Sequence, residues 1–236
     1  MNLLLLEEKD FIAPGRAVVS DRRFLQLRDV IKLEVGKIFR AGIVGGRLGS
    51  AEVLNFDSDR AELEVRLDAP PPPASGITLV CALPRPQTFH KVLHCAVTMG
   101  VKKIWFIHCR KVEKSYWSAS VLERDAVDRE IRMALEQCGD TIYPELFFRS
   151  RFKPFVEDEL PGLVSGAEAA IFGHPRAAGG PERFAGKKTV LLVGPEGGFS
   201  DYELEKLASA GAVPVTLGPR VLRTEFAVAA LLAKLS

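Results

Sequence analysis

Four consecutive prolines, Pro70 to Pro73, divide this chain of 236 residues into two stretches that share no regular element. Proline has no backbone N–H and a fixed φ. A run of four therefore ends any helix or inner strand and favours a stiff, extended spacer. Ala74-Ser75-Gly76 follows the run. The break predicts two domains, residues 1–73 and 74–236.

The apolar pattern differs on the two sides. Before the prolines, Ala61–Leu67 (AELEVRL) alternates apolar and polar residues, as a half-buried strand does. Val35–Phe39 and Ala51–Phe56 are further strand candidates, and Phe24–Ile31 has helical spacing. A small β-barrel is expected there. After the prolines, Ile77–Ala82 (ITLVCA), Lys103–Ile107 (KIWFI) and Thr189–Val193 (TVLLV) are continuous apolar runs, the mark of strands buried on both faces. Ile142–Phe148, Ala169–Phe172 and Pro214–Leu217 are candidate strands. Thr88–Met99, Val121–Gln137, Ser200–Ala210 and Thr224–Leu235 read as helices. Strands alternating with helices predict an α/β fold with a parallel sheet.

Composition excludes several classes. At 47% hydrophobic and 26% charged residues, the chain is too apolar for disorder. No signal peptide is expected, since Glu7, Glu8 and Asp10 follow the apolar start, and no membrane span is expected either. Cys81, Cys95, Cys109 and Cys138 form no CxxC pair, which suits reduced thiols in the cytoplasm. His90, His94 and His108 lack partners at ligand spacing, so no metal is expected. The net charge of +2 hides basic stretches. Arg16–Arg47 holds eight Lys/Arg against three Asp/Glu, and Arg85–Lys114 seven against one. Such stretches suit RNA phosphates or solvated faces equally.

The most specific signals lie near the end of the chain. Val193 closes a strand and is followed by Gly194-Pro195-Glu196-Gly197-Gly198-Phe199. Ser200 and Glu203 have capping-box spacing, so a helix starts there. A glycine-rich turn between strand and helix admits close backbone approach to a ligand, although a plain tight turn has the same pattern. No Gly-Lys-Ser/Thr follows, so it is not a P-loop. A second strand-to-helix loop, Leu217-Gly218-Pro219-Arg220-Val221-Leu222-Arg223-Thr224-Glu225, comes about 20 residues later. Two such loops at neighbouring strand ends can form one crevice.

VGPEGGFSDYE followed by LGPRVLRTE closely resembles the SPOUT-class 16S ribosomal RNA uridine-N3 methyltransferases. Met99-Gly100-Val101, Glu136-Gln137-Cys138-Gly139, Pro144 and His174-Pro175 resemble other parts of that family's pattern. The resemblance implies a PUA-like RNA-binding β-barrel over 1–73 and a trefoil-knotted SPOUT methyltransferase domain over 74–236. It implies S-adenosyl-L-methionine as cofactor, a homodimer, and 16S ribosomal RNA or the small ribosomal subunit as partner. Cofactor-binding candidates are His174, Pro175, Val193, Gly194, Pro195, Glu196, Gly197, Gly198, Leu217, Gly218, Val221, Leu222 and Thr224. Arg223 and Glu225 are the catalytic candidates. Arg22, Arg23, Arg28, Arg85, Arg110 and Lys114 are the RNA-binding candidates. The chain departs from the family's pattern at His94, Cys95, Thr98, Asp140 and Phe226. A diverged paralogue acting on another RNA site, or binding RNA without turnover, is the alternative. A nucleotide-binding enzyme that uses the glycine-rich turn for phosphate is a third reading.

Overall fold

The computed structural model describes residues 2–236. It divides into two compact units. The first takes in the described part of Met1–Pro73 together with Arg132–Tyr143. The second comprises Ala74–Ile131 and Pro144–Ser236.

The first unit is built on six strands: β1 (Leu4–Leu6), β2 (Phe11–Ala13), β3 (Arg16–Val19), β4 (Ile38–Ile43), β5 (Leu48–Phe56) and β6 (Ala61–Ala69). Their order is β1-β4-β5-β6-β3-β2, and only the β1–β4 pair is parallel. The β5–β6 hairpin turns at Asp57, whose carboxylate accepts the N–H groups of Asp59 and Arg60 at 3.0 Å each. Alternation puts Ala61, Leu63 and Val65 of β6 into one core with Leu4, Leu6, Val19, Phe24 and Val53. The helix Arg22–Gln26 starts two residues earlier than the periodicity suggests. Asp21 caps it, accepting the Arg23 N–H at 2.9 Å.

Residues 132–143 pack into this unit through specific contacts. The Glu136 carbonyl accepts the N–H groups of Asn2 and Leu3, and the Glu136 carboxylate takes a two-pronged contact from Arg22 at 2.8 and 3.2 Å. Gly42 leaves room for Thr141, since a Cβ there would stand 2.5 Å from Thr141 Cγ2. Asp140 is buried, and its Oδ1 accepts the N–H groups of Thr141 and Ile142 at 2.7 and 2.9 Å. This departure from the family's pattern therefore has a structural use: it holds the turn after the helix Arg124–Cys138.

Arg23 requires a correction. It was expected on an RNA-facing surface, but its side chain is only 4% exposed. It donates to Asp10 at 2.6 and 2.8 Å, to Asp21 at 2.8 to 3.1 Å and to the Leu5 carbonyl at 2.8 Å. Burial opposes the charge, and the two carboxylates outweigh it. No donor is left for a phosphate. Other charges of the Arg16–Arg47 stretch are also engaged locally: Arg16 with Glu62, Arg22 with Glu136 and Arg28 with Asp29.

The second unit contains β7 (Ile77–Ala82), β8 (Lys103–Ile107), β9 (Glu145–Arg149), β10 (Ala169–Gly173), β11 (Thr189–Val193) and β12 (Val213–Val215). All pair in parallel, in the order β12-β10-β11-β7-β8-β9. β11 is buried at every residue, as its unbroken apolar run requires. From β7 the chain builds outward through β8 and β9. It then resumes on the far side at β10, and β11 enters between β10 and β7. That reversal of direction is where parallel α/β sheets open a crevice beyond their carboxyl ends. Pro86 opens the helix Pro86–Thr98, which begins two residues before its periodic stretch because proline suits a first turn. The helical stretch from Phe152 to Ser165 is not among the elements that the apolar periodicity predicts.

Candidate methyl-donor site

Three loops leave the carboxyl ends of adjacent strands β11, β10 and β12, and together they enclose one cavity of about 430 Å³. The β11 loop supplies Gly194 to Phe199, the β10 loop supplies His174 and Pro175, and the β12 loop supplies Thr216 to Gly218 with Val221 and Leu222. All thirteen residues expected to hold the cofactor line it, from His174 and Pro175 through the glycine-rich turn to Thr224. Residues far apart in the chain meet here because parallel register places these three strand ends side by side.

Small residues keep the walls thin. Gly198 has φ +70° and Gly218 φ +109°, backbone regions that side chains disfavour. A Cβ on Gly194 would stand 3.1 Å from the Phe199 ring, and one on Gly197 would stand 2.8 Å from the Lys111 side chain. The Thr216 hydroxyl pins the β12 loop, accepting the Gly218 N–H at 3.1 Å. The His174 N–H donates to the Val215 carbonyl at 2.8 Å, tying the β10 loop to β12.

Glu203 organises the other side. It is 2% exposed. Its Oε2 accepts the Ser200 N–H and hydroxyl at 2.7 and 2.8 Å, as the capping-box spacing predicts. Its Oε1 accepts the Arg110 N–H at 2.7 Å, which fixes the loop after β8 against the glycine-rich turn. Lys111 adds a second tie, its Nζ donating to the Gly197 carbonyl at 2.6 Å. In the sequence, only its place beside Arg110 in a basic stretch marks Lys111, and 86 residues separate it from its partner.

The scan against protein families matches residues 71–236 to the RNA methyltransferase domain. The chain belongs to the RNA methyltransferase family. Ribosomal RNA small subunit methyltransferase E of Treponema pallidum is 26% identical over 236 residues, covering 98% of this chain and 88% of that protein. Among solved structures, methyltransferase E of Neisseria gonorrhoeae, bound to S-adenosyl methionine, superposes with a TM-score of 0.75. It is 22% identical and covers 99% of this chain and 95% of that one. A Legionella pneumophila methyltransferase, in complex with the same cofactor, gives 0.75 and 22% over 99% and 96%. The expected fold class, a SPOUT α/β domain after a small β domain, agrees with these relatives.

The catalytic candidates of this methyltransferase domain stand at the cavity's edge rather than in its lining. Arg223 is exposed, and its guanidinium has no hydrogen-bond or ion-pair partner among the described residues. Glu225 is 11% exposed and lies 3.8 Å from Lys91 Nζ. Arg85 is exposed beside the cavity-lining Glu196, which accepts the Arg85 N–H at 3.2 Å. The side chains of Arg110 and Lys114 are exposed and form no ion pair among the described residues. His94 faces Glu130 at 2.8 Å. No cluster of three or more His, Cys, Asp or Glu side chains is placed to hold a metal among the described residues. Among them, too, no helix is long and apolar enough to cross a membrane.

The thiols nearest these loops are chemically quiet. Cys81, in β7, and Cys109, just after β8, are fully buried. Burial, reinforced by Glu196 for Cys81 and Glu203 for Cys109, pushes both thiols far up and keeps them protonated. A thiol-reactive reagent is expected to modify the half-exposed Cys95 and Cys138 of the native protein first. Cys81 and Cys109 should react only on unfolding, which mass mapping of modified peptides would check.

Proposed function

We propose that this protein uses S-adenosyl-L-methionine to methylate N3 of a uridine in the 16S ribosomal RNA of the small subunit. One observation carries the reading: every cofactor candidate that the two terminal motifs and His174-Pro175 nominate lines a single cavity. Its volume suits a ligand of that size. Gly194, Gly197, Gly198 and Gly218 leave the backbone bare for contact with adenosine and methionine polar groups, while Val193, Leu217, Val221 and Leu222 supply apolar contact. When bound, the cofactor supplies an electrophilic methyl group on a sulfonium sulfur.

The chain's own task is alignment and proton management. Uracil N3 carries a proton at neutral pH, and it must leave as the base becomes a nucleophile. Arg223 stabilises the negative charge that develops on the uracil. Glu225, with Lys91 beside it, orients the base or takes the proton. Arg85, Arg110 and Lys114 contact RNA phosphates, as do Arg22 and Arg28 where their local pairs leave donors free. We further propose that the first unit is a PUA-like RNA-binding module, that the enzyme works as a homodimer, and that it acts in the cytoplasm.

Calorimetry with S-adenosylmethionine and with ATP tests the cofactor. Binding of the former and not the latter is expected, and the reverse would establish the nucleotide-binding alternative. Mapping of modified uridines in 16S RNA from a deletion strain tests the target, and an unchanged map would refute it. Gly218→Ala should weaken cofactor binding about tenfold, because a Cβ at φ +109° shifts the loop that Thr216 pins. The same titration reads this out.

A further inference from the structure

The loop after β8 is anchored at three points, and its exposed tip carries two aromatic rings that the proposed chemistry leaves unused. His108 N–H donates to the Arg149 carbonyl at 2.8 Å, Arg110 N–H donates to Glu203, and Lys111 Nζ donates to the Gly197 carbonyl. The short 3-10 helix Lys114–Ser118 then presents Tyr116 and Trp117, both partly exposed. Trp117 is oriented by its ring N–H, which donates to His108 Nδ1 at 2.9 Å. Tyr116 is held by its hydroxyl, which donates to Glu113 at 3.0 Å. Lys111, three residues before this helix, itself lines the cofactor cavity.

Two fixed aromatic rings on a loop that also carries the exposed cations Arg110 and Lys114 match what single-stranded RNA requires: faces for its bases and charge for its phosphates. A duplex keeps its bases stacked internally and offers no face to such rings. We infer that Tyr116 and Trp117 form a base-stacking platform that receives an unpaired nucleotide of the substrate RNA next to the cofactor cavity. His108 is a positioning residue that sets the Trp117 ring. The inference rests on the RNA-methylation reading and deepens it.

Intrinsic fluorescence tests it directly. The chain has two tryptophans, and Trp105 is buried, stacked on Phe147 at 4.2 Å. Titration of the full-length protein with octauridylate at low salt should quench tryptophan emission. Trp117→Phe should abolish the quench, and a duplex RNA of equal length should produce much less. Tyr116→Ala/Trp117→Ala should raise KM for small-subunit RNA about tenfold, with cofactor affinity within twofold of wild type as the check on folding. His108→Ala should move KM in the same direction, and His108→Gln, which keeps an acceptor, should recover part of the loss. Equal quenching in Trp117→Phe, equal quenching by duplex RNA, or an unchanged KM in the double variant would overturn the platform. Absence of both cofactor binding and methyl transfer in the wild-type protein would instead overturn the methylation reading, and the octauridylate titration would still judge the platform.

Discussion

Arg223→Ala should lower kcat by roughly 10²- to 10³-fold, the usual cost of removing one preorganised donor from a developing anion. Cofactor affinity should stay within about twofold and thermal unfolding should be unchanged. The structural argument is the contrast with its neighbours. Leu222 and Thr224 line the cavity, whereas Arg223 between them lies outside the lining and is exposed, and its guanidinium has no partner among the described residues. The fold gains nothing from that charge, so its loss should appear only in turnover. Steady-state kinetics with small-subunit RNA, beside calorimetry with S-adenosylmethionine, separates the two effects. Wild-type kcat in the variant would remove Arg223 from the mechanism.

Arg23→Ala should have the opposite signature, a large loss of stability and no direct effect on cofactor binding. The substitution strands the Asp10 carboxylate, which is 7% exposed, and leaves the Leu5 carbonyl without its side-chain donor. Breaking a buried ion pair on one side costs about 3–5 kcal/mol. The first unit should therefore unfold at a clearly lower denaturant concentration, seen by circular dichroism. Arg23→Lys should recover little, because one ammonium cannot replace a fork that engages Asp10, Asp21 and a carbonyl together. Asp21 adds a pH dependence. Burial raises its pKa, but hydrogen bonds from Arg23 outweigh this and leave it below the usual carboxylate range. Its contribution is therefore present above the unfolded value near 4 and fades as pH falls through the folded value. Half-exposure of Asp21 keeps that contribution small.

Much of this protein could be read in order along the chain. The apolar runs of β7, β8 and β11 have the bounds their sequences suggest, because a strand buried on both faces needs an unbroken apolar segment. Leu4–Leu6 is equally apolar, yet a start of five leucine and asparagine residues carries no period that marks a strand. The capping box at Ser200 and Glu203 was visible from its spacing. The glycine-rich turn and the LGPRVLRTE loop pointed to a ligand site, and the local backbone rules that make them turns are short-ranged.

What the sequence determined by itself was local: strand and helix types, the two loops, and the resemblance those loops carry. Tertiary structure alone decided partnership. Composition could not distinguish Arg23, consumed by buried carboxylates, from Arg110, whose charge faces solvent, because both sit in basic stretches. Nor could it pair Lys111 with Gly197, Glu203 with Arg110, or Trp117 with His108. Side-chain charge and burial are set by which groups meet in space. For Lys111 with Gly197 and Glu203 with Arg110, that meeting depends on the order in which six parallel strands lie, a global property that no local pattern encodes.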